Sequence, residues 1–243
     1  TFYQAFDVSL DGVSAVSAAD LAGLLAWFAD PGRIPFMWSF PRYEQFDPSQ
    51  APFGELRASA SDAEKSVGLT WSTPAVARVG SDHGPLVALL GSGGLSRRQE
   101  QLPGRGGQRA GTRLYMLAAA SGMLLDFRDV GSDGVGEEDA ACPGVGCGGL
   151  KNALLADPVV AGSSGRLYVD RAYVGDLDGR LWRFDVGLTG GSGGFTGEPR
   201  LLFDAGASHP IIGAVGWLSG TAGQGYVVFG TGADTVAGSG GTD

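Results

Sequence analysis

The groups in this sequence that could do chemistry are few: two cysteines, two histidines and one acidic stretch. Cys142-Pro-Gly-Val-Gly-Cys147 places four residues, two of them Gly, between the thiols. So flexible a segment can bring the two Cα atoms to the ~5.5–6 Å separation that a disulfide takes. Free thiols and half of a metal site are the rival readings. A zinc site takes four ligands, however, and the only histidines are His83 and His209. A disulfide on a Gly-rich loop points to an oxidising compartment. His83 lies in the turn Ser81-Asp-His-Gly-Pro85 and His209 precedes Pro210, so both read as loop residues rather than as a catalytic base. Asp126, Asp129, Asp133, Glu137, Glu138 and Asp139 are rich enough in oxygen for a cation, but their spacing fits no ligand loop and reads as a solvated acidic loop. Gly91-Ser-Gly-Gly94 is followed by Leu-Ser-Arg-Arg instead of a Lys-Ser/Thr helix start, so it is no phosphate cradle. No His-Glu-x-x-His helix is present. Catalysis has no visible carrier.

The elements that would have to position such groups follow from composition. Of 243 residues, 43 are Gly and 12 Pro, near the ~25–30 % at which low complexity is suspected. A hydrophobic content of 43 % and five Trp are ample for a packed core, so the Gly belongs to turns. Charged residues reach only 18 %, which excludes a coiled coil or a charged helical bundle. The expectation is an all-β chain. A net charge of −9, with Lys only at Lys65 and Lys151, disfavours nucleic acid, because a phosphate groove needs clustered cations. Arg97, Arg98, Arg105, Arg109 and Arg113 sit in a Gly-rich stretch and read as a solvated loop. No run approaches ~18 apolar residues, so no membrane-spanning helix is expected. The sequence opens at Thr1 without Met or a signal peptide, as a mature or partial chain would.

Self-similarity is the stronger signal. Residues 113–130 (RLYMLAAASGMLLDFRDV) and 171–186 (RAYVGDLDGRLWRFDV) each read as two alternating strands around a turn, Ser121-Gly122 and Asp178-Gly179. Asp-Gly between such runs is a strong hairpin signal. Residues 1–9 (TFYQAFDVS) resemble the first half of that unit and Phe36-Met-Trp-Ser-Phe40 the second, after a long insertion. Further strand pairs start near Trp71, Asp157 and Ile211, with Pro74 and Pro158 at strand starts where a missing N–H does least harm. The unit is about four short antiparallel strands, repeated, which is the signature of a β-propeller blade. Uneven spacing implies loop insertions, the largest at 92–112 and 131–152. Residues 13–29 have helical spacing at Leu21, Leu24, Leu25 and Phe28, with Asp20 near the start, and predict a short inserted helix packed on the rim. Three blades and fragments fall short of the ~4–8 of a closed ring. Residues 1–243 are therefore expected to form one incomplete propeller domain, its other blades lying outside this segment.

Four blocks, taken in order, suggest a family. Trp71-Ser-Thr-Pro-Ala-Val-Ala-Arg-Val79, Gly111-Thr-Arg-Leu-Tyr-Met-Leu117, the block from Arg171 to Asp185, and Gly225-Tyr-Val-Val-Phe-Gly-Thr-Gly232 together resemble the C-terminal propeller of PilY-type proteins, which are adhesin and biogenesis factors of bacterial type IV pilus tips. The resemblance covers roughly 70–240, and its most specific block is AYVGDLDGRLWRFD. It implies a modified seven-bladed propeller without enzymatic activity. The protein would be exported to the periplasm, outer membrane or pilus tip, and would act in pilus extension, retraction control and surface attachment. Its expected partners are minor pilins, with a host or abiotic surface beyond them. The family commonly carries a calcium loop, Asp-x-Asp-x-Asp-Gly-x-x-Asp, just before the Ala-Tyr-x-Gly-Asp strand. Here that stretch is Gly162-Ser-Ser-Gly-Arg-Leu-Tyr-Val-Asp170. Asp170 alone matches a ligand, and Arg166 stands where a carboxylate is expected. Asp170 is thus the single candidate metal ligand, in a loop that has lost the rest of the set. Asp176 reads as a turn or blade-to-blade hydrogen-bond residue.

Two other classes share the fold. The hairpin with its turn Gly and Trp-x-Phe end also resembles repeats of quinoprotein alcohol dehydrogenases. Those enzymes need a cofactor pocket with a calcium cage and an Asp base, for which two His, no vicinal Cys pair and no clustered pocket carboxylates give no basis. A propeller scaffold for outer-membrane protein assembly would lack the GDLDGRLWRFD and VVFGTG combination.

Overall fold

Among the described residues, alternating apolar residues between Gly turns build thirteen strands and one helical turn. The structure is a computed structural model, and it describes residues 3–6, 36–42, 60–68, 70, 72–94, 111–131, 153–163, 166–206, 208–220 and 224–232. In chain order the strands are β1 (Tyr3–Phe6), β2 (Phe36–Phe40), β3 (Ala75–Arg78), β4 (Leu86–Gly91), β5 (Arg113–Ala118), β6 (Leu124–Asp129), β7 (Val159–Ala161), β8 (Arg171–Gly175), β9 (Arg180–Thr189), β10 (Ser192–Phe195), β11 (Arg200–Asp204), β12 (Gly216–Ser219) and β13 (Gly225–Val228); the helical turn α1 (Asp62–Lys65) lies between β2 and β3. Every ladder between these strands is antiparallel, and an isolated parallel bridge joins Val79 to Val169. The chain is all-β in class, and the described strands fall into four open sheets. Residues 13–29, where the sequence predicts a helix, lie outside the described residues.

Two four-stranded units form the centre. The first runs β3-β4-β5-β6 in sequence order, and the second runs β7-β8-β9-β11. Their matching positions are close. Gly91 pairs with Leu114 and Leu90 with Tyr115 in the first unit, while Gly175 pairs with Leu181 and Val174 with Trp182 in the second. The sequence reading set 113–130 and 171–186 side by side as equivalent hairpins. In the structure the former is the third and fourth strands of its unit, and the latter the second and third of its own. The reason is an insertion. β9 runs ten residues, leaves its unit after Asp185 and turns back through Gly190 and Gly191, whose φ angles of +60° and +88° suit a tight hairpin turn. The resulting β9–β10 hairpin displaces the fourth strand to Arg200–Asp204.

That hairpin reaches the first unit. Gly193 lies so close to Val87, Met116 and Val79 that a Cβ there would meet their side chains. The Phe195 N–H donates to Asp126 Oδ2 at 2.9 Å, and Arg128 donates to the Phe195 carbonyl at 3.1 Å. The sheets stack in layers. Ala88, Leu90, Tyr115 and Leu117 face β1–β2, where Tyr3 and Phe40 are buried with them. Val87, Leu89, Leu114 and Met116 face Ala172, Val174, Trp182 and Phe184 of the second unit. Tyr173 and Leu181, on the far side of that unit, pack against Trp217, Val227 and Phe229 around β12–β13. Because β4 is covered on both faces, its sequence is a continuous apolar run instead of an alternating one.

Candidate functional site

Asp176 is the described residue that most resembles a reactive group. It follows β8 at the hairpin Asp176-Leu-Asp-Gly-Arg180 and is fully buried. Its Oδ1 accepts the backbone N–H of Asp178 and of Arg180, both at 2.9 Å, and Oδ2 accepts the Trp182 indole N–H at 2.7 Å. Burial pushes its pKa up to about 6, against the opposing pull of the Trp182 and Arg180 donors. All three partners are donors of the same hairpin, so the carboxylate points at the turn and presents no face to a substrate. Its backbone carbonyl accepts the Ile211 N–H at 2.9 Å, which ties the chain entering β12 to the second unit. Asp176 is a turn and unit-to-unit residue. Ser92 holds the same position in the first unit, where its Oγ accepts the Arg113 N–H at 2.9 Å.

Paired charges recur at matching places. Arg113 Nε lies 2.9 Å from Asp129 Oδ2, and Arg180 Nε lies 3.4 Å from Asp204 Oδ2, each joining the start of a third strand to the end of the fourth. The second oxygens of Asp129 and Asp204 accept the N–H of Gly131 and Gly206. Two of the buried phenols are likewise engaged: Tyr115 donates to the Ala63 carbonyl and contacts Ser66 Oγ at 2.7 Å, while Tyr3 donates to the Gly91 carbonyl. Burial pushes Tyr3 up to about 12 and raises Tyr115 further, so neither is a base near neutrality.

The candidates named from sequence do not converge. Asp170 Oδ1 lies 3.0 Å from Arg171 Nε, and Oδ2 accepts from Ser163 Oγ at 3.4 Å. Arg166 stacks over the Tyr168 ring at 5.2 Å. Among the described residues, no three His, Cys, Asp or Glu side chains gather closely enough to hold a metal ion. His83 is exposed, and His209, also exposed, has Nδ1 3.0 Å from Ser208 Oγ. Of the acidic stretch, Asp126 and Asp129 are bonded within or beside the first unit. Asp133, Glu137, Glu138, Asp139, Cys142 and Cys147 lie outside the described residues, as do Arg97, Arg98, Arg105 and Arg109. Among the described residues no helix is long and apolar enough to cross a membrane.

What the fold does gather is loop roots. The insertions 95–110 and 132–152 both leave from the end of the sheets where β4 and β6 finish and β5 and β7 start. Gly94 sits 3.8 Å, measured from a Cβ placed on it, from the Ala153 Cβ, and the Leu154 N–H donates to the Gly111 carbonyl at 2.7 Å. The described residues that flank these two segments therefore lie side by side on the packed sheets.

With this geometry in view, the fold is similar to that of a solved structure. The C-terminal domain of Pseudomonas aeruginosa PilY1 superposes with a TM-score of 0.50. The match is 21 % identical and covers 84 % of this chain and 37 % of that one. At this identity the likeness concerns the fold, and the present chain spans little more than a third of that domain. Neither protein-family profiles nor curated sequences match the chain.

Proposed function

We propose that this chain is part of the β-propeller of an exported PilY-type factor that works with type IV pili in their biogenesis, retraction control and attachment. The observation that carries the reading is the fold shared with the PilY1 C-terminal domain over 84 % of the chain. The repeated four-stranded units support a propeller, residues 1–243 being one incomplete propeller domain. Its role is that of a non-enzymatic binding and assembly module, a reading supported by the buried Asp176, Tyr115 and Tyr3 each spending their polar atoms on bonds to neighbouring groups of the chain. Minor pilins at the filament tip are the proposed partner, and the loops rooted together at one end are the proposed contact with a host or abiotic surface. Calcium at Asp170 belongs to this reading only as a single-ligand site. The test is co-purification from sheared pili with a tag on the full-length protein. Minor pilins should accompany it, and its deletion should reduce piliation and attachment. Recovery only as a free periplasmic protein, with piliation and attachment intact in the deletion strain, would refute the proposal.

A further inference from the structure

The large apolar residues left exposed fall into two groups. Leu201, Phe203 and Val228 stand on the faces and edges of sheets, the surfaces that stacked layers share. Met37, Leu86, Met123, Leu167 and Leu188 stand at strand ends or in turns, which stacking leaves open. All five lie at the end of the sheets opposite to the one where β4 finishes and β5 starts. Met37 is near the start of β2, Leu86 starts β4, and Met123 is in the β5–β6 turn; Leu167 lies between β7 and β8, and Leu188 near the end of β9.

Bonds and contacts join them into one strip across three layers. The Trp38 indole N–H, next in the chain to Met37, donates to the Ala119 carbonyl at 2.8 Å, and its ring lies against Gly122, beside Met123. The Ala119 N–H donates to the Leu86 carbonyl at 3.1 Å. The Val79 N–H donates to the Pro85 carbonyl at 3.2 Å, which closes the turn 80–85 next to Leu86. Leu188 packs against Gly80 of that turn, and the Leu167 N–H donates to its Asp82 Oδ1 at 2.9 Å. Leu167 is 78 % exposed and Met123 59 %, so both project into solvent.

The composition of the strip selects its occupant. Protein–protein hot spots draw on Trp, Tyr and Arg, and Leu is under-represented among them. The strip is three Leu and two Met, set between the short uncharged residues Ser81, Ala120, Ser121 and Thr189. The charges beside it are engaged within the chain. Arg78 Nη1 donates to the Gly84 carbonyl at 2.9 Å, Arg166 stacks over Tyr168, and Asp170 lies against Arg171. An anionic surface is met by clustered Lys and Arg, which this end lacks among the described residues, and the net charge of −9 opposes it.

We propose that this end of the sheets is a lipid-facing surface, its turns entering the interfacial layer of a bilayer with neutral or zwitterionic headgroups. Apolar patches rimmed by polar residues mark such surfaces, and entry as far as the headgroup boundary needs only the side chains of the turns. The strands then stand upright on the bilayer, with the Arg113–Asp129 and Arg180–Asp204 pairs in water at the far end. The inference rests on where the apolar side chains lie and not on the pilus reading, so either can fail without the other.

The probe is phosphatidylcholine vesicles, mixed with the chain and sedimented. Saturable co-sedimentation is expected, unchanged by salt that screens surface charge and not strengthened when phosphatidylglycerol replaces part of the lipid. Vesicles should also slow hydrogen exchange in the turns 80–85 and 119–123. Leu167→Asp combined with Met123→Asp should weaken partitioning at least about ten-fold. Leu202→Asp, at an exposed residue of β11 outside the strip, should retain it. These side chains are exposed, so the variants should fold as the parent does. No co-sedimentation, binding that needs phosphatidylglycerol or is lost in salt, equal loss in Leu202→Asp, or protection confined to other segments would each overturn the proposal. So would a lipid-free dimer that Leu167→Asp dissolves, since a second copy would then cover the strip.

Discussion

A buried carboxylate with three N–H donors is held ionised by its partners and pressed towards neutrality by burial. For Asp176 burial wins, and its pKa rises from 3.8 to about 6. A raised pKa means that the folded state binds the proton more tightly than the unfolded chain. Its contribution to stability is full below about 4 and is lost as pH rises through about 6. The difference is on the order of 2–3 kcal/mol. Asp176→Asn removes this dependence and also turns an amide N–H towards the Trp182 indole N–H, at a cost of about 1–3 kcal/mol near neutral pH. Urea unfolding at pH 4.5 and 7.5 should therefore show a larger gap between parent and variant at the lower pH; an equal gap at both would refute the assignment. Glu64 works the other way. Burial raises it, but bonds from Arg42 and Ser61 outweigh that and hold it below the usual carboxylate range. Its contribution is present above the unfolded value and fades as pH falls through the folded one. Comparing the two proteins at each pH cancels Glu64. The Arg113–Asp129 pair is partly exposed, and a double-mutant cycle should return no more than about 1 kcal/mol for it.

At the scale of elements, close approach decides which glycines matter. A Cβ at Gly175 would collide with the Ile211 side chain, so Gly175→Ala should destabilise by about 1–3 kcal/mol. Gly230→Ala meets nothing and should stay within about 0.5 kcal/mol of the parent in the same urea titration. Phe195 is buried against Phe184, with ring centroids 5.7 Å apart, and its backbone joins the β9–β10 hairpin to the first unit. Phe195→Ala should cost about 3–5 kcal/mol, an effect that thermal denaturation would reveal. The strand pairs were legible because local signals mark them: Asp178-Gly179 announces β8–β9, and alternation in Arg180–Val186 announces a strand. β11 escaped notice because Arg200-Leu-Leu-Phe-Asp204 follows a fourteen-residue excursion, 186–199, that no local rule assigns to another sheet. The turn α1 went unread for the opposite reason. It is one turn long, set by the reciprocal bonds of Ser61 and Glu64, too short for any periodicity. The Asp176 turn was readable because an Asx residue before Asp-Gly bonds its own backbone. Its partner Trp182 was not, since only the hairpin's register brings that indole to the carboxylate.

At the scale of the whole chain, stacked layers make a stiff support and leave variation to the loops. The layers share apolar faces from Tyr3 to Phe229, and the matching ion pairs Arg113–Asp129 and Arg180–Asp204 lie at strand ends. Segments 95–110 and 132–152 carry opposite charge, with Arg97, Arg98, Arg105 and Arg109 in the first and Asp133, Glu137, Glu138 and Asp139 in the second. Within the second, a Cys142–Cys147 bond would close a loop too short to matter much for the fold, about 2–3 kcal/mol at most. Intact mass with and without reduction before alkylation should show one disulfide in the native protein, and two freely alkylated thiols would exclude it. The loops themselves should be dispensable for folding. Loop closure depends only weakly on length, so replacing 95–110 and 132–152 by short Gly-Ser links should move the melting temperature by no more than about 2–4 °C. If surface contact resides in them and pilin contact in the sheets, the shortened full-length protein should still co-purify with minor pilins, while cells carrying it lose attachment. Loss of both together would place pilin binding on the loops as well, and attachment that survives the shortening would move the contact surface onto the layers.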